Sequence, residues 1–143
     1  MTNPASVDDR LALADLSNRY AVAVDRRDFD VLREIFVPDC SLDTGRSQRS
    51  GIDAVLEAMR GLLRYQTTSH VVGQHVVEVF DADKASTVTY CTAHHLSVAD
   101  DAGVQTDKVM HIHYYDECVR TDRGWRIAQR RLDIRWSDER AID

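Results

Sequence analysis

Several features that usually announce a function are missing from this sequence. Its three cysteines, Cys40, Cys91 and Cys118, are odd in number and show no CxxC spacing, so neither a disulfide framework nor a zinc ribbon is indicated and a reducing, cytoplasmic setting is expected. Basic charge is in deficit. A formal net charge of −6 argues against a nucleic-acid partner, because counterion release from a phosphate backbone needs a basic patch. No apolar run approaches bilayer-spanning length and the first ten residues carry no apolar leader core, so no membrane association is expected. A glycine-rich phosphate loop and a GxSxG nucleophile elbow are both absent, which leaves phosphoryl transfer and serine hydrolysis without their usual marks. Internal repeats and low-complexity tracts are absent too.

What remains is one domain's worth of chain. The 143 residues, 43% of them hydrophobic, are expected to form a single domain over residues 1–143 with a core and room for a pocket. Ser6, with Asp9 three positions on, reads as a helix start resembling a capping box, and no glycine or proline follows until beyond Arg27. Leu13, Leu16, Tyr20 and Val24 recur at three- and four-residue steps and define the buried stripe of that helix. A second short helix, capped by Asp28 or Asp30, carries Val31, Leu32, Ile35 and Phe36 until Pro38 stops it. A brief strand over residues 40–43, a polar loop over 44–50 and a third helix over 51–63 complete the first half.

The second half changes character. Turn signals at residues 81–84, 100–103 and 121–124 separate four β-patterned runs, 70–80, 85–98, 104–120 and 125–136. These exceed ordinary strand length, so they should bend around something. Helices followed by a strand meander predict an α+β fold: a cone-shaped barrel, N-terminal helices packed on a strongly curved, mostly antiparallel sheet enclosing a pocket.

Strand alternation sorts the faces. Met110, Ile112 and Tyr114 share one face, expected to be interior, and His111, His113 and Tyr115 share the other. On the preceding run the small residues of the Cys91 set, which includes His95, suit a cavity wall, but alternation leaves the choice between this set and the His94 set open. On the last run Arg130 falls with Ala128, Leu132, Ile134 and Trp136, opposite Trp125 and Ile127; among apolar neighbours it calls for a carboxylate or an anionic ligand group. Metal binding is not expected. His94 and His95 point to opposite faces, and His111 with His113 supply two ligands without a carboxylate in register.

Three strings resemble one family: RYAVAVDRRDFDVLREIF around Tyr20 and Asp25, SHVVGQHVVEV around His70, and YYDECVRTDRGWRIAQRRL, with Tyr114, Asp116, Trp125, Arg126 and Arg130. They are similar to the SnoaL-like branch of the nuclear transport factor 2-like superfamily. That branch includes scytalone dehydratase, bile-acid dehydratase, polyketide cyclases, steroid Δ-isomerase and hexachlorocyclohexane dehydrochlorinase. The resemblance implies Asp25 and His70 as a catalytic dyad with Tyr20 beside them. It aligns Arg130 with the dehydrochlorinase's assisting arginine, and Tyr114 together with either His95 or His94 with further polar groups of the scytalone dehydratase site. That enzyme's asparagine has no evident match here.

Such a dyad acts without metal or nucleotide. The expected activity is a dehydratase or isomerase working on a small hydrophobic cyclic hydroxy-carbonyl compound, with no cofactor. Cys91, Met110, Ile112, Tyr114, His95 and Arg130 are expected to contact the substrate. A polyketide cyclase or a non-catalytic binding or assembly module on the same cone is the alternative. The family further implies a homodimer or homotrimer, with His111, His113, Tyr115 and Trp125 pointing outward to a second copy.

Overall fold

The capping signal at Ser6 becomes the start of a 19-residue helix, α1 (Val7–Asp25), whose first turn is held by the Ser6 side chain accepting the Asp9 N–H at 3.0 Å. Asp9 does not complete the capping box. Its carboxylate leaves the helix to accept Trp125 Nε1–H at 2.8 Å and Arg120 at 2.7 Å, tying the helix start to the last hairpin. Leu13, Leu16, Tyr20 and Val24 are all buried, joined by Ser17, Ala21 and Ala23. Each large apolar side chain so buried stabilises the fold by about 1.5–3 kcal/mol before entropy is counted. The computed structural model describes residues 5–142, so residues 1–4 and 143 of the expected domain span lie outside the described residues.

After a 3-10 turn at Phe29–Val31, the second helix, α2 (Leu32–Ile35), is a single turn. Asp28 precedes that turn without making a side-chain cap bond, and the expected cap is not formed. Phe36 already belongs to β1 (Phe36–Asp43), which includes Pro38. Proline has no N–H for the ladder, and the pairing of β1 is interrupted between Phe36 and Ser41, where Pro38 sits. Residues 44–50 are not all loop: β2 (Gln48–Ser50) pairs antiparallel with β1. Gly51, at φ 85°, leads into α3 (Ile52–Arg60), and a 3-10 turn at Gly61–Arg64 follows.

The four long strands are β3 (Tyr65–Val79), β4 (Lys84–Ser97), β5 (Gln105–Thr121) and β6 (Gly124–Ile142). The first begins earlier, and the last runs further, than the patterning implied. They form one six-stranded sheet of order β2-β1-β6-β5-β4-β3. Among the described residues only the β1–β6 pair is parallel. The fold is therefore the expected α+β cone, three helices on a curved, mostly antiparallel sheet. The sheet is not closed: β2 and β3 remain edges, and the helices cover its interior face. No helix among the described residues is long and apolar enough to cross a membrane.

Bulges produce the curvature and correct the face assignments. Pairing of β5 with β6 skips Ala128 and Arg135, so each inserts one extra residue and flips the parity beyond it. Trp125 and Ile127 consequently turn inward and are buried, whereas Trp125 was expected outside. Trp136 turns outward, 59% exposed, and stacks on His111 with ring centroids 4.3 Å apart. A third irregularity spans Gly73 and Gln74, opposite Tyr90, and moves His75 onto the same interior face as His70 and Val72.

Candidate active site

Register fixes which side chains meet inside the cone. Cross-strand rows run His70–Ala93–Met110–Ser137, then Val72–Cys91–Ile112–Ile134, then His75–Thr89–Tyr114–Leu132. Cys91, Met110, Ile112, Tyr114 and His95 thus share the interior face with His70, and the Cys91 set is the one turned inward. Ala93, the cross-strand partner of His70, is small and fully buried. A depression of about 370 Å³ lies toward the β5–β6 end of these rows, walled by Lys108, Met110, Leu132, Ile134 and Trp136 under the Thr44–Gly45 turn; Asp25 and His70 do not line it.

Asp25, the last residue of α1, reaches across to β3. Its Oδ1 lies 2.7 Å from His70 Nδ1, and its Oδ2 accepts the His70 backbone N–H at 2.8 Å. Thr68, two residues before His70 on the same strand face, donates its hydroxyl to Oδ1 at 2.8 Å. Burial alone would raise the Asp25 carboxyl, but the hydrogen bonds from the His70 ring, the His70 backbone and Thr68 outweigh it and hold the group below the usual carboxylate range. An ionised Asp25 can only accept, so Nδ1 is the donor of this bond and Nε2 is the ring nitrogen that Asp25 leaves unengaged. The His70 side chain is only 5% exposed and that of Asp25 24%.

Around the imidazole stand the Tyr20 ring, at 6.4 Å between centroids, and the His95 ring, at 5.6 Å. Tyr20 donates its hydroxyl to Met59 Sδ at 3.3 Å, a weak acceptor that a ligand oxygen could replace. Burial pushes the Tyr20 phenol up to about 12 and the Tyr114 phenol well above its ordinary value, so both are donors rather than bases near neutral pH. His95 Nδ1 is 3.1 Å from the Lys108 carbonyl oxygen and so must donate to it. His94, on the opposite face, instead bonds Asp107 at 2.8 Å. His111 and His113 stack on Trp136 and Tyr90, and among the described residues no group of three or more His, Cys, Asp or Glu is placed to hold a metal.

Arg130 has found its carboxylate within the protein. Nε and Nη2 donate to the two oxygens of Asp116, each at 2.8 Å, and Nη2 also donates to Ser17 at 2.9 Å. The guanidinium lies 4.5 Å from the Tyr20 ring centre and 4.2 Å from that of Tyr114. Burial works against its charge, but Asp116 more than compensates and raises its proton affinity. Arg130 Nη1 and the Tyr114 hydroxyl are buried without partners among the described residues. Thr68, Asp116, Ser17 and His75, whose Nδ1 lies 2.9 Å from Thr89 Oγ1, were not singled out in the sequence as site residues.

Two of the interior histidines, His75 and His95, carry a pH signature. Burial pulls His75 and His95 below the ordinary value of 6.5, so the folded state excludes a proton that the unfolded chain accepts. Their stability contribution is complete above the unfolded value and drains away as pH falls through the depressed folded values. The urea midpoint should therefore fall between about pH 7.5 and 5.5, with a shallower slope in His95→Asn and in His75→Asn. Equal slopes in all three proteins would contradict the assignment.

The SnoaL-like domain model matches residues 5–131. An uncharacterized protein of Mycobacterium tuberculosis strain H37Rv is 31% identical over 135 residues, 91% of this chain and 88% of the relative. Among solved structures, a putative scytalone dehydratase from Novosphingobium aromaticivorans superposes with TM-score 0.82 at 19% identity, covering 96% and 94% of the two chains. The hexachlorocyclohexane dehydrochlorinase LinA-type3 from Novosphingobium barchaimii gives TM-score 0.81 at 18% identity, covering 94% and 91%. At such identities these two structures show the shared fold. Matched from its first helix to the middle of its last strand, the chain belongs to the SnoaL-like domain family.

Proposed function

We propose that the protein is a cofactor-independent acid/base enzyme, a dehydratase or isomerase of small hydrophobic cyclic hydroxy-carbonyl compounds. One observation carries this reading: the 2.7 Å contact of Asp25 Oδ1 with His70 Nδ1, at an imidazole whose side chain is 5% exposed. His70 Nε2 takes a proton from the carbon next to a carbonyl, and the C–H electron pair moves toward the carbonyl oxygen as an enolate. Asp25 supports the resulting imidazolium, and a phenol of Tyr20 or Tyr114 donates to the developing oxyanion. In dehydration the enolate expels the neighbouring hydroxyl, which leaves as water with the proton from His70. In isomerisation the same proton returns to a different carbon. His95, Cys91, Met110 and Ile112 form the wall that holds the ring, and Arg130 fixes the two tyrosines between which it lies.

Two fold relatives are named for eliminations, a putative scytalone dehydratase and a hexachlorocyclohexane dehydrochlorinase, which favours elimination over hydrolysis. The test is a screen of cyclic hydroxy-ketones for loss of water or double-bond migration. Activity that disappears in His70→Gln supports the reading; activity indifferent to that change refutes it.

The outer sheet face supports assembly as a homodimer or homotrimer. It presents the Tyr90–His113 stack at 3.8 Å, the His111–Trp136 stack at 4.3 Å, and Arg131 over Tyr115 at 4.1 Å. Light scattering at micromolar concentration should give two or three chains per particle, and Trp136→Glu should shift it toward one. A monomeric parent protein would remove this proposal.

A further inference from the structure

The end of α1 holds a backbone outlier whose side chain leads to the dyad. The helix closes with Asp28 N–H on the Ala23 carbonyl at 2.9 Å and Arg27 N–H on the Val24 carbonyl at 3.2 Å, the double bond pattern of a Schellman cap. The position after the cap in that motif takes left-handed backbone and is usually glycine. Here it is Arg27, at φ 63°. A residue with a Cβ carries a cost of roughly 1–2 kcal/mol in that conformation. A long cationic side chain does what glycine cannot. It turns back so that Nη1 donates to the Val24 carbonyl at 2.8 Å and to Thr68 Oγ1 at 2.7 Å.

Hydrogen-bond direction then propagates to the dyad. Arginine only donates, so Thr68 must accept from it, and the threonine's one O–H is left for Asp25 Oδ1 at 2.8 Å. No ion pair within 4 Å joins Arg27 to Asp25 directly, although their positions in the chain are two apart. A direct pair would compete with His70 for Oδ1. The threonine spacer brings the cation's influence to the carboxylate while leaving that oxygen free for the imidazole.

We propose that Arg27, acting through the Thr68 hydroxyl, is a positioning residue of the dyad: together they fix the rotation of the Asp25 carboxylate and keep it ionised opposite His70 Nδ1. The relay itself is a statement about Asp25, and its consequence for turnover rests on the proposed acid/base function. The lowering of the Asp25 carboxyl by the Thr68 hydrogen bond agrees with this geometry.

The test uses Arg27→Gly, Arg27→Lys and Thr68→Val in the full chain, with the Asp25 side-chain carboxyl followed by carbon NMR through an acid titration. In Thr68→Val and Arg27→Gly the Asp25 midpoint should rise by about half to one pH unit, a 3- to 10-fold gain in proton affinity. Arg27→Lys should recover part of the shift, because the charge remains. Arg27→Gly should melt within a few degrees of the parent, since glycine relieves the left-handed strain as the side-chain bonds are lost. A purely structural role predicts the reverse, a clear loss of melting temperature with the Asp25 midpoint unmoved, and that result would overturn the proposal. With a substrate in hand, both variants should lower kcat more than they raise KM. If the midpoint moves in a protein that turns over no compound, the relay stands and the enzyme reading falls. If His70→Gln abolishes turnover while neither variant moves kcat or the midpoint, the relay falls and the enzyme reading stands.

Discussion

His70→Gln is expected to lower turnover by a factor on the order of 10² to 10⁴, the scale on which a positioned general base contributes. Asp25→Asn keeps the shape of the carboxylate but removes its charge, and because an amide can also turn its NH₂ toward Nδ1, it favours the wrong tautomer. Its loss should fall in the same range. Expressed as a barrier this is about 2.7–5.4 kcal/mol, large against the ~1 kcal/mol of an ordinary hydrogen bond. In the proposed mechanism the two residues, joined at 2.7 Å, act as one unit, so the double variant should be little worse than the more damaged single one. Multiplicative losses would instead mean that Asp25 and His70 contribute separately. The measurement is kcat and KM for the four proteins on one substrate, with circular dichroism to establish that each remains folded.

The second large effect is on stability. Asp116 and Arg130 have side chains 1% and 0% exposed and share two 2.8 Å hydrogen bonds, so Asp116→Ala leaves a guanidinium buried with no counter-charge. The expected cost is about 3–5 kcal/mol, seen as a melting temperature lower by roughly 10 °C or more. Replacing both partners, Asp116→Leu with Arg130→Met, should recover most of that loss because no charge then remains in the interior. Asp116→Ala within about 1 kcal/mol of the parent would show that Arg130 finds water or another partner. The pair also concerns the site, since Arg130 lies against both Tyr20 and Tyr114. The double variant should therefore be stable but poorly active.

How far the sequence disclosed this arrangement depends on which physical regularity each residue obeys. Leu13, Leu16, Tyr20 and Val24 follow the helical period without interruption, and all four are buried. Met110, Ile112 and Tyr114 obey strand alternation because no extra residue enters β5. Asp116 continues that alternation, and reading it two residues further would have supplied the carboxylate that Arg130 requires. Alternation failed on β6, where Ala128 and Arg135 are inserted and no composition signal marks them. Trp125 was thus expected outside and lies inside. On β3 a signal existed. Gly73, isolated within a β-patterned run, is the kind of residue at which a bulge forms, and reading it so would have turned His75 inward. Thr68 could have been found as the residue two before His70, on the same face. Arg27 could not, because a left-handed arginine leaves no pattern and its partner is 41 residues away.

Removal of a proton from carbon by the proposed base His70 can be followed by isotope exchange. The parent protein and His70→Gln are incubated in D₂O with cyclic hydroxy-ketones, and the carbon next to the carbonyl is followed by NMR together with release of water. The parent protein should incorporate deuterium at that carbon or convert the compound, and His70→Gln, still folded, should slow both by at least about 10². Exchange and conversion at undiminished rates in His70→Gln would contradict it.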